Sequence, residues 1–311
     1  MIISASRRTD IPAFYAEWFI NRIRDKYVLI KNPFNAKQIR KIDLSPIYID
    51  AIVFWTRNPK PLMKYLNELD EKGYNYYFQY TITGYPRTLE KQTPNPYKAI
   101  ETFKELSKKI GKEKVIWRYD PIILTKYTPL EEHIRLFKKI STALEGYTDR
   151  VVISFADPYK KITKKLSEIE YSDIIETKSK VYELSKRLSE IAISKNIVIE
   201  SCSEEINLDN YNIKHGKCID DKLIEKLFNI NLHIGKDKNQ RKECGCVQSV
   251  DIGIYNTCSH GCTYCYATFS DKTVEKNKLL HNPNSPILIG NLEDLDSEAL
   301  KKINLQEKSL F

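Results

Sequence analysis

Six short apolar runs, with stretches of helical periodicity between them, constrain this chain more than any other feature. The runs are Met1–Ser6, Ala51–Thr56, Tyr76–Thr83, Lys114–Tyr119, Val151–Phe155 and Ile197–Ser201. Each is nearly continuous in apolar or aromatic residues, the pattern of a strand buried on both faces. Between them Ile100, Phe103, Leu106 and Ile110 recur at spacings of three and four, as do Leu130, Ile134, Phe137 and Ile140, and Val181, Leu184, Leu188 and Ile191. Pro59 near one helix start and Gly73 after its end fit the usual asymmetry of helix termini. Tyr27–Lys31 and Gln38–Leu44, joined through Asn32-Pro33-Phe34-Asn35, read as a small hairpin appended to the first crossover. A seventh strand is expected at Ser249–Ile254. Strands alternating with helices predict an α/β fold on a parallel sheet. The expected architecture is a parallel (β/α) barrel, partial or complete, with a cysteine-rich C-terminal segment that carries a loop of closely spaced cysteines. A doubly wound open sheet is the rival, because periodicity does not report closure.

The 311 residues suit one large barrel or two average domains. No repeat or low-complexity linker divides them. One structural domain is therefore expected, with βα units over residues 1–201 and a cysteine-rich region, last strand, cluster loop and tail over 202–311. No run of ~18 apolar residues is present, so no membrane partner is expected. The N-terminal MIISASRRTDIPAF lacks the charged leader of a signal peptide, which predicts a cytoplasmic protein. Fifty Lys and Arg against 41 Asp and Glu give a net charge of +9. A basic balance keeps a nucleic acid among the candidate partners. The lysine-rich stretches near 104–114 and 160–180 read as solvated helix faces.

All seven cysteines lie between residues 202 and 265. An odd number in a reducing compartment points to metal ligation more than to disulfides. The sharpest pattern is Cys258-Ser-His-Gly-Cys262-Thr-Tyr-Cys265, where Gly261 permits a tight turn between thiols. Three thiolates on a four-iron cluster leave one iron open to a small molecule. A structural zinc completed by His260 is the plainer alternative. Cys202, Cys218, Cys244 and Cys246 remain, the number that fully ligates a second iron–sulfur cluster or closes a zinc site. Free thiols are the third possibility, and Cys202, just after a strand, is then a candidate catalytic thiol.

The three-cysteine loop resembles that of the radical S-adenosylmethionine (SAM) superfamily. The resemblance implies a [4Fe–4S] cluster on Cys258, Cys262 and Cys265, SAM chelated by the free iron, and Tyr264 packed near the adenine. In that superfamily the loop follows the first barrel strand, whereas here it follows the last, which suggests a circular permutation. With Ser249–Ile254 moved to the front, the following strands end in SASRRTD, FWTRN, YTITG, WRYDPI and SFADP. That order is similar to spore photoproduct lyase and its relatives. Nearly the whole chain also resembles an uncharacterised domain-of-unknown-function family, number 1848, which brings no substrate.

In barrels of this kind the chemistry gathers at the C-terminal ends of the strands. The resemblance puts Ser4, Ser6, Thr9 and Asp10 where an amino group of SAM is held, and Arg57 or Arg118 where its carboxylate pairs through a planar fork. Capping of a helix beginning near Pro12 is the competing role of the Ser6–Asp10 segment. Asp120, a carboxylate at a strand end, is a catalytic candidate. Trp55, Tyr80, Trp117 and Tyr119 either line a pocket or pack the sheet. His133 is expected on a helix surface, and His215 and His233 in irregular chain. The implied activity is reductive cleavage of SAM to a 5′-deoxyadenosyl radical that modifies or repairs a substrate, nucleic acid included, with electrons from a flavodoxin or ferredoxin. A non-enzymatic binding protein stapled by zinc or an iron–sulfur cluster is the second class of function.

Overall fold

The computed structural model describes residues 1–33, 35–156, 163–172 and 178–294. Phe34, the Asp157-Pro158 end of one expected strand and part of the 160–180 lysine stretch lie outside the described residues. The chain opens with β1 (Ile2–Ala5), α1 (Ile11–Phe14) and α2 (Ala16–Asp25). The hairpin β2 (Tyr27–Asn32) and β3 (Asn35–Asp43) follows, as its sequence predicts. Then come β4 (Ala51–Thr56), α3 (Lys60–Met63), α4 (Leu66–Glu71), β5 (Tyr76–Thr81) and α5 (Pro96–Ile110). The chain continues through β6 (Val115–Ile122), α6 (Leu130–Leu144), β7 (Arg150–Phe155), α7 (Thr163–Ser167) and α8 (Lys178–Ser194). Finally β8 (Val198–Ser201), β9 (Lys214–His215), α9 (Asp221–Phe228), β10 (Val250–Asp251) and α10 (Asp271–Leu279) complete it.

Eight strands form one sheet in the order β10-β1-β4-β5-β6-β7-β8-β9. Every neighbouring pair is parallel. The last strand in the chain therefore stands beside the first, with Ile3 opposite Val250 and Ser4 opposite Asp251. The sheet stays open, with the two-residue strands β10 and β9 at its edges. Pro286–Ile289 forms no closing strand. It lies on the hairpin, where the Leu29 N–H donates to Pro286 O at 2.9 Å and Ile287 packs on Leu29.

Strand alternation divides the core. Ile3, Ile52, Phe54, Tyr76, Phe78, Trp117, Tyr119 and Ile153 face the helices and merge with Phe19, Phe103, Leu106, Phe137, Leu184 and Leu188. Burying each such side chain contributes about 1.5–3 kcal/mol. The other face, Ile2, Ala51, Val53, Tyr77, Ile116 and Val152, is covered by Cys218, Ile219, Leu223, Ile224, Cys244, Cys246 and Val247. The cysteine-rich segment is thus the lid of the second sheet face. That is why the central strands read as nearly unbroken apolar runs: both of their faces are covered.

His133 is not on the surface. It falls four residues before Phe137 on the buried stripe of α6 and is fully enclosed. Its Nε2 lies 3.1 Å from Ile123 O, and its Nδ1 lies 2.9 Å from the Tyr119 hydroxyl. With Nε2–H donating to the carbonyl, Nδ1 accepts from Tyr119. Burial lowers the imidazole to about 4, so it stays neutral. His215 sits in β9, at the sheet edge, rather than in irregular chain.

Candidate functional site at the carboxyl ends of the strands

All eight strands point the same way, so their C-terminal ends share one rim. A cleft of about 270 Å³ opens there. Its wall includes Arg7, Arg8, Thr9 and Asp10 after β1, Trp55, Thr56 and Arg57 at the end of β4, Asp120 in β6 and Ser154 in β7. Cys258, Cys262 and Cys265 line the same cleft, together with His260 and Tyr264. All three thiols are free. Gly261 takes φ +66°, and an added Cβ would lie 3.3 Å from Lys91 Cβ, so the turn suits glycine. Burial pushes the Cys262 thiol up to about 12 and raises Cys258 as well.

The cysteine loop is held by the strand ends. Gln92 N–H donates to His260 O and Thr263 N–H to Leu89 O, both at 2.9 Å. Beneath these contacts lies a buried ion pair, Arg57 Nη1 to Glu90 Oε1 at 2.7 Å. The Tyr264 hydroxyl donates to the same Glu90 oxygen, Thr83 donates to it at 2.6 Å, and Arg57 Nη2 donates to the Tyr264 oxygen at 2.7 Å. Burial opposes the charge on Arg57, and the Glu90 carboxylate overrides it, holding the guanidinium well above its ordinary pKa. Asp10 ties a second part of the loop. Its Oδ1 accepts from Ala13 N–H at 3.0 Å and caps α1, while Oδ2 accepts from Arg57 N–H and meets His260 Nε2, each at 2.7 Å.

Ser4 and Ser6 serve a carboxylate that the sequence reading missed. Asp251 accepts from Ser4 Oγ at 3.0 Å, Ser6 Oγ at 2.6 Å, Arg7 N–H at 2.8 Å and Gly253 N–H at 2.9 Å. The approach is so close that a Cβ on Gly253 would stand 2.0 Å from Ser6 Oγ. Asp251 thus fastens the strand that leads into the cysteine loop to the turn after β1.

Deeper on the same sheet face, Arg118 Nε donates to Asp120 Oδ2 at 2.9 Å and Nη1 meets Cys218 Sγ at 2.8 Å. Asp120 also accepts from Ser154. The Trp55 ring lies between Arg118 and Arg7, 5.1 and 5.6 Å from their guanidinium carbons. The four other cysteines meet here. Cys202 and Cys218 sulfurs are 2.8 Å apart, Cys218 hydrogen-bonds Cys246, and Cys246 hydrogen-bonds Cys244. Donation from Cys218 and Cys244 lowers the Cys246 pKa, with Arg7 assisting, while Cys218 is raised by its bonds to Cys202 and then Cys246, and Cys244 by its bond to Cys246.

The sequence model of a family described as a domain of unknown function, DUF1848, matches residues 2–267. The chain belongs to DUF1848. No curated protein matches it. The DUF1848 span contains all ten strands of the described residues and both cysteine groups, and ends just past the loop. It brings no named activity, so the site's chemistry must be argued from its geometry.

Two residues of this DUF1848 site were legible only in part. Arg57 and Arg118, expected to receive a carboxylate, already hold Glu90 and Asp120. Arg57, just past β4, meets Glu90 from the loop after β5, and Arg118 meets Asp120 two residues on in β6. Asp10 caps a helix, as its place before Pro12 suggested, while its second oxygen reaches the loop. Of the four aromatic candidates only Trp55 lines the cleft. Tyr80 donates to Ala99 O, Trp117 Nε1 to Ile82 O, and Tyr119 meets His133, all in the helix-side core. Glu90 follows β5 in a loop with no motif, so nothing in sequence singled it out. Asp251, the one charge in an apolar run, carried a signal that went unread.

The two cysteine sets differ in fit. Among the described residues no group of three or more His, Cys, Asp or Glu is arranged to hold a single metal ion. The ligands of one tetrahedral zinc stand about 3.8 Å apart, given Zn–S bonds of about 2.3 Å. The 2.8 Å approach of Cys202 to Cys218 is closer than that, so the four-cysteine set does not fit a metal in this arrangement. The three-cysteine loop is the set with open space beside it. Its thiols open onto a cleft, His260 Nε2 is taken by Asp10, and the buried polar atoms Thr9 Oγ1 and His260 Nδ1 have no hydrogen-bond partner.

Proposed function

We propose that this protein is a radical SAM enzyme whose cleft holds a [4Fe–4S] cluster on Cys258, Cys262 and Cys265, with SAM beside it. One observation carries the reading: three free thiols at C-x₃-C-x₂-C spacing line one cleft at the C-terminal ends of a parallel sheet. The pairing of β10 with β1 supports the circular permutation, since it sets the cysteine loop next to the strand it would otherwise precede. The chemistry that such a group supplies when bound is one-electron cleavage of SAM to a 5′-deoxyadenosyl radical. The chain's own residues do the rest. Arg57, Glu90 and Tyr264 fix the loop, Asp251 fixes its strand, and the apolar lid over the second sheet face keeps water from below the site. Raised thiol pKa values mean that ligation releases protons, which makes loading easier at higher pH.

Anaerobic reconstitution with iron and sulfide tests this. Wild type is expected to retain about four irons per chain on this loop, with SAM cleaved on chemical reduction. The Cys258/Cys262/Cys265→Ala variant should lose both. Zinc as the only bound metal, or equal iron in the variant, would favour the stapled binding protein instead.

A further inference from the structure

The four cysteines outside the cleft loop converge without fitting a metal, and their own contacts suggest another use. Cys202 follows β8 directly and Cys218 stands three residues past β9, the strand paired with it. The Gly216 N–H donates to Ser201 O at 2.8 Å and carries that pairing toward the two cysteines. Their sulfurs lie 2.8 Å apart. That is nearer to the covalent distance of a disulfide, about 2.05 Å, than to the about 3.8 Å between thiolates on one zinc.

The surroundings suit thiol exchange. Cys218 is anchored, because its carbonyl accepts from the Tyr77 hydroxyl at 2.7 Å and from Gln79 Nε2 at 2.9 Å. Arg118 Nη1 lies 2.8 Å from Cys218 Sγ and brings a positive charge to the pair. The bond to Cys218 lowers the Cys202 pKa, and Arg118 lowers it further, against burial. A thiolate is the form that attacks a disulfide. Cys202 is also the partly exposed member, whereas Cys218, Cys244 and Cys246 are buried. An outside reagent therefore meets Cys202 first.

We propose that Cys202 and Cys218 are a dithiol–disulfide couple that exchanges with a small-molecule disulfide through Cys202. The Cys202 thiolate attacks one sulfur of the reagent R–S–S–R, whose S–S bond breaks, and RS⁻ leaves with the electron pair. The Cys218 thiolate then attacks Cys202 Sγ, and the second RS⁻ departs. Two protein thiols lose two electrons, one reagent disulfide becomes two RSH, and the two protein protons end on the leaving sulfurs. No residue of the cysteine loop takes part, so the couple stands apart from the radical SAM reading. Arg118 joins the couple to the cleft, since its Nε holds Asp120 on the cleft wall.

Full-length protein, reduced and then equilibrated anaerobically in glutathione buffers of graded disulfide content, is acid-quenched, alkylated and digested with trypsin for mass spectrometry. Lys214 and Lys217 lie between the two cysteines, so a Cys202–Cys218 bond joins two peptides. Wild type should yield that linked pair, and dithiothreitol should abolish it. Cys218→Ser should stop at a mixed disulfide of Cys202 with glutathione. Cys202→Ser should slow glutathione uptake at Cys218 about tenfold or more, because the remaining thiol is buried. Cys246→Ser should leave the linked pair in place. The proposal is overturned if wild type yields no linked pair across the series, or if Cys218 is found bonded to Cys246 instead. It is also overturned if the Cys258/Cys262/Cys265→Ala variant retains zinc or iron that a further Cys202→Ser releases, because the four thiols would then be metal ligands. Loss of iron from the cysteine loop alone would leave the linked pair unchanged, so the two ideas fail separately.

Discussion

Replacing Glu90 by glutamine tests how the cysteine loop is held. Glu90 is 3 % exposed, and one of its oxygens takes the Arg57 guanidinium, the Tyr264 hydroxyl and the Thr83 hydroxyl together. Glutamine preserves an acceptor there but removes the charge, leaving the buried Arg57 cation without compensation. Breaking a buried pair from one side costs about 3–5 kcal/mol. Two hydrogen bonds to a neutral oxygen survive, so the lower end of that range is expected. The exposed pair Arg24–Glu68 is the internal comparison, with side chains 49 % and 25 % accessible. Glu68→Gln should cost less than about 1 kcal/mol. Urea unfolding of both variants, followed by far-UV circular dichroism, reads the difference as a shift in midpoint at constant slope. Adding Arg57→Met to Glu90→Gln should recover part of the loss. Equal midpoint shifts for Glu90→Gln and Glu68→Gln would refute the reasoning, because the Arg57 pair would then behave as a solvated one.

Three further outcomes are expected. Gly253→Ala places a Cβ 2.6 Å from Ser6 Cβ as well as against its Oγ, so it should lower stability by about 1–3 kcal/mol, and Ser6→Ala should not fully restore it in denaturant melts. His133 is held near 4 in the fold against an ordinary 6.5, so the unfolded chain binds the extra proton between those values. Stability from this site should therefore fall as pH drops from about 6.5 to 4, by up to about 3 kcal/mol, and His133→Gln should flatten that slope in a pH series of melts. Asp10→Ala removes the cap of α1 and the partner of His260, and should lower the thermal midpoint by about 1–3 kcal/mol in free-energy terms without altering the far-UV spectrum.

The strands were readable because parallel strands covered on both faces are mostly apolar along their length, and Ile2–Ala5, Ala51–Thr56 and Tyr76–Thr81 follow that pattern, with polar residues such as Gln79, Arg118 and Glu200 interrupting it on the face under the cysteine-rich segment. Their ends were less readable. Val250–Asp251 is much shorter than the apolar run Ser249–Ile254, because Gly253 and Asp251 turn the chain into the serine clasp. Closure was not readable at all. It depends on whether β9 and β10 meet, and two-residue strands carry no periodicity. In the site, Cys258, Cys262 and Cys265 line one cleft, as three residues close together on one loop can. The partner of Arg57 stayed hidden, since Glu90 comes from a separate loop after β5, whereas that of Arg118 stands two residues along the same strand and on the same face, a period-two signal that was in the sequence. The gathering of Cys202, Cys218, Cys244 and Cys246 was anticipated as a set, but the thiol-to-thiol contacts between them were not.

Ser4 meets Asp251 across 247 residues. During synthesis at about 5–20 residues per second, the first strand leaves the ribosome roughly 10–50 s before its edge partner exists. For that interval its outer hydrogen-bonding groups and the turn carrying Arg7 and Thr9 are bare. The emerging chain must therefore keep a half-made sheet from pairing with other polypeptides, and the cleft, which takes residues from the turn after β1 and from the cysteine loop, can be assembled only once the later of the two has been made.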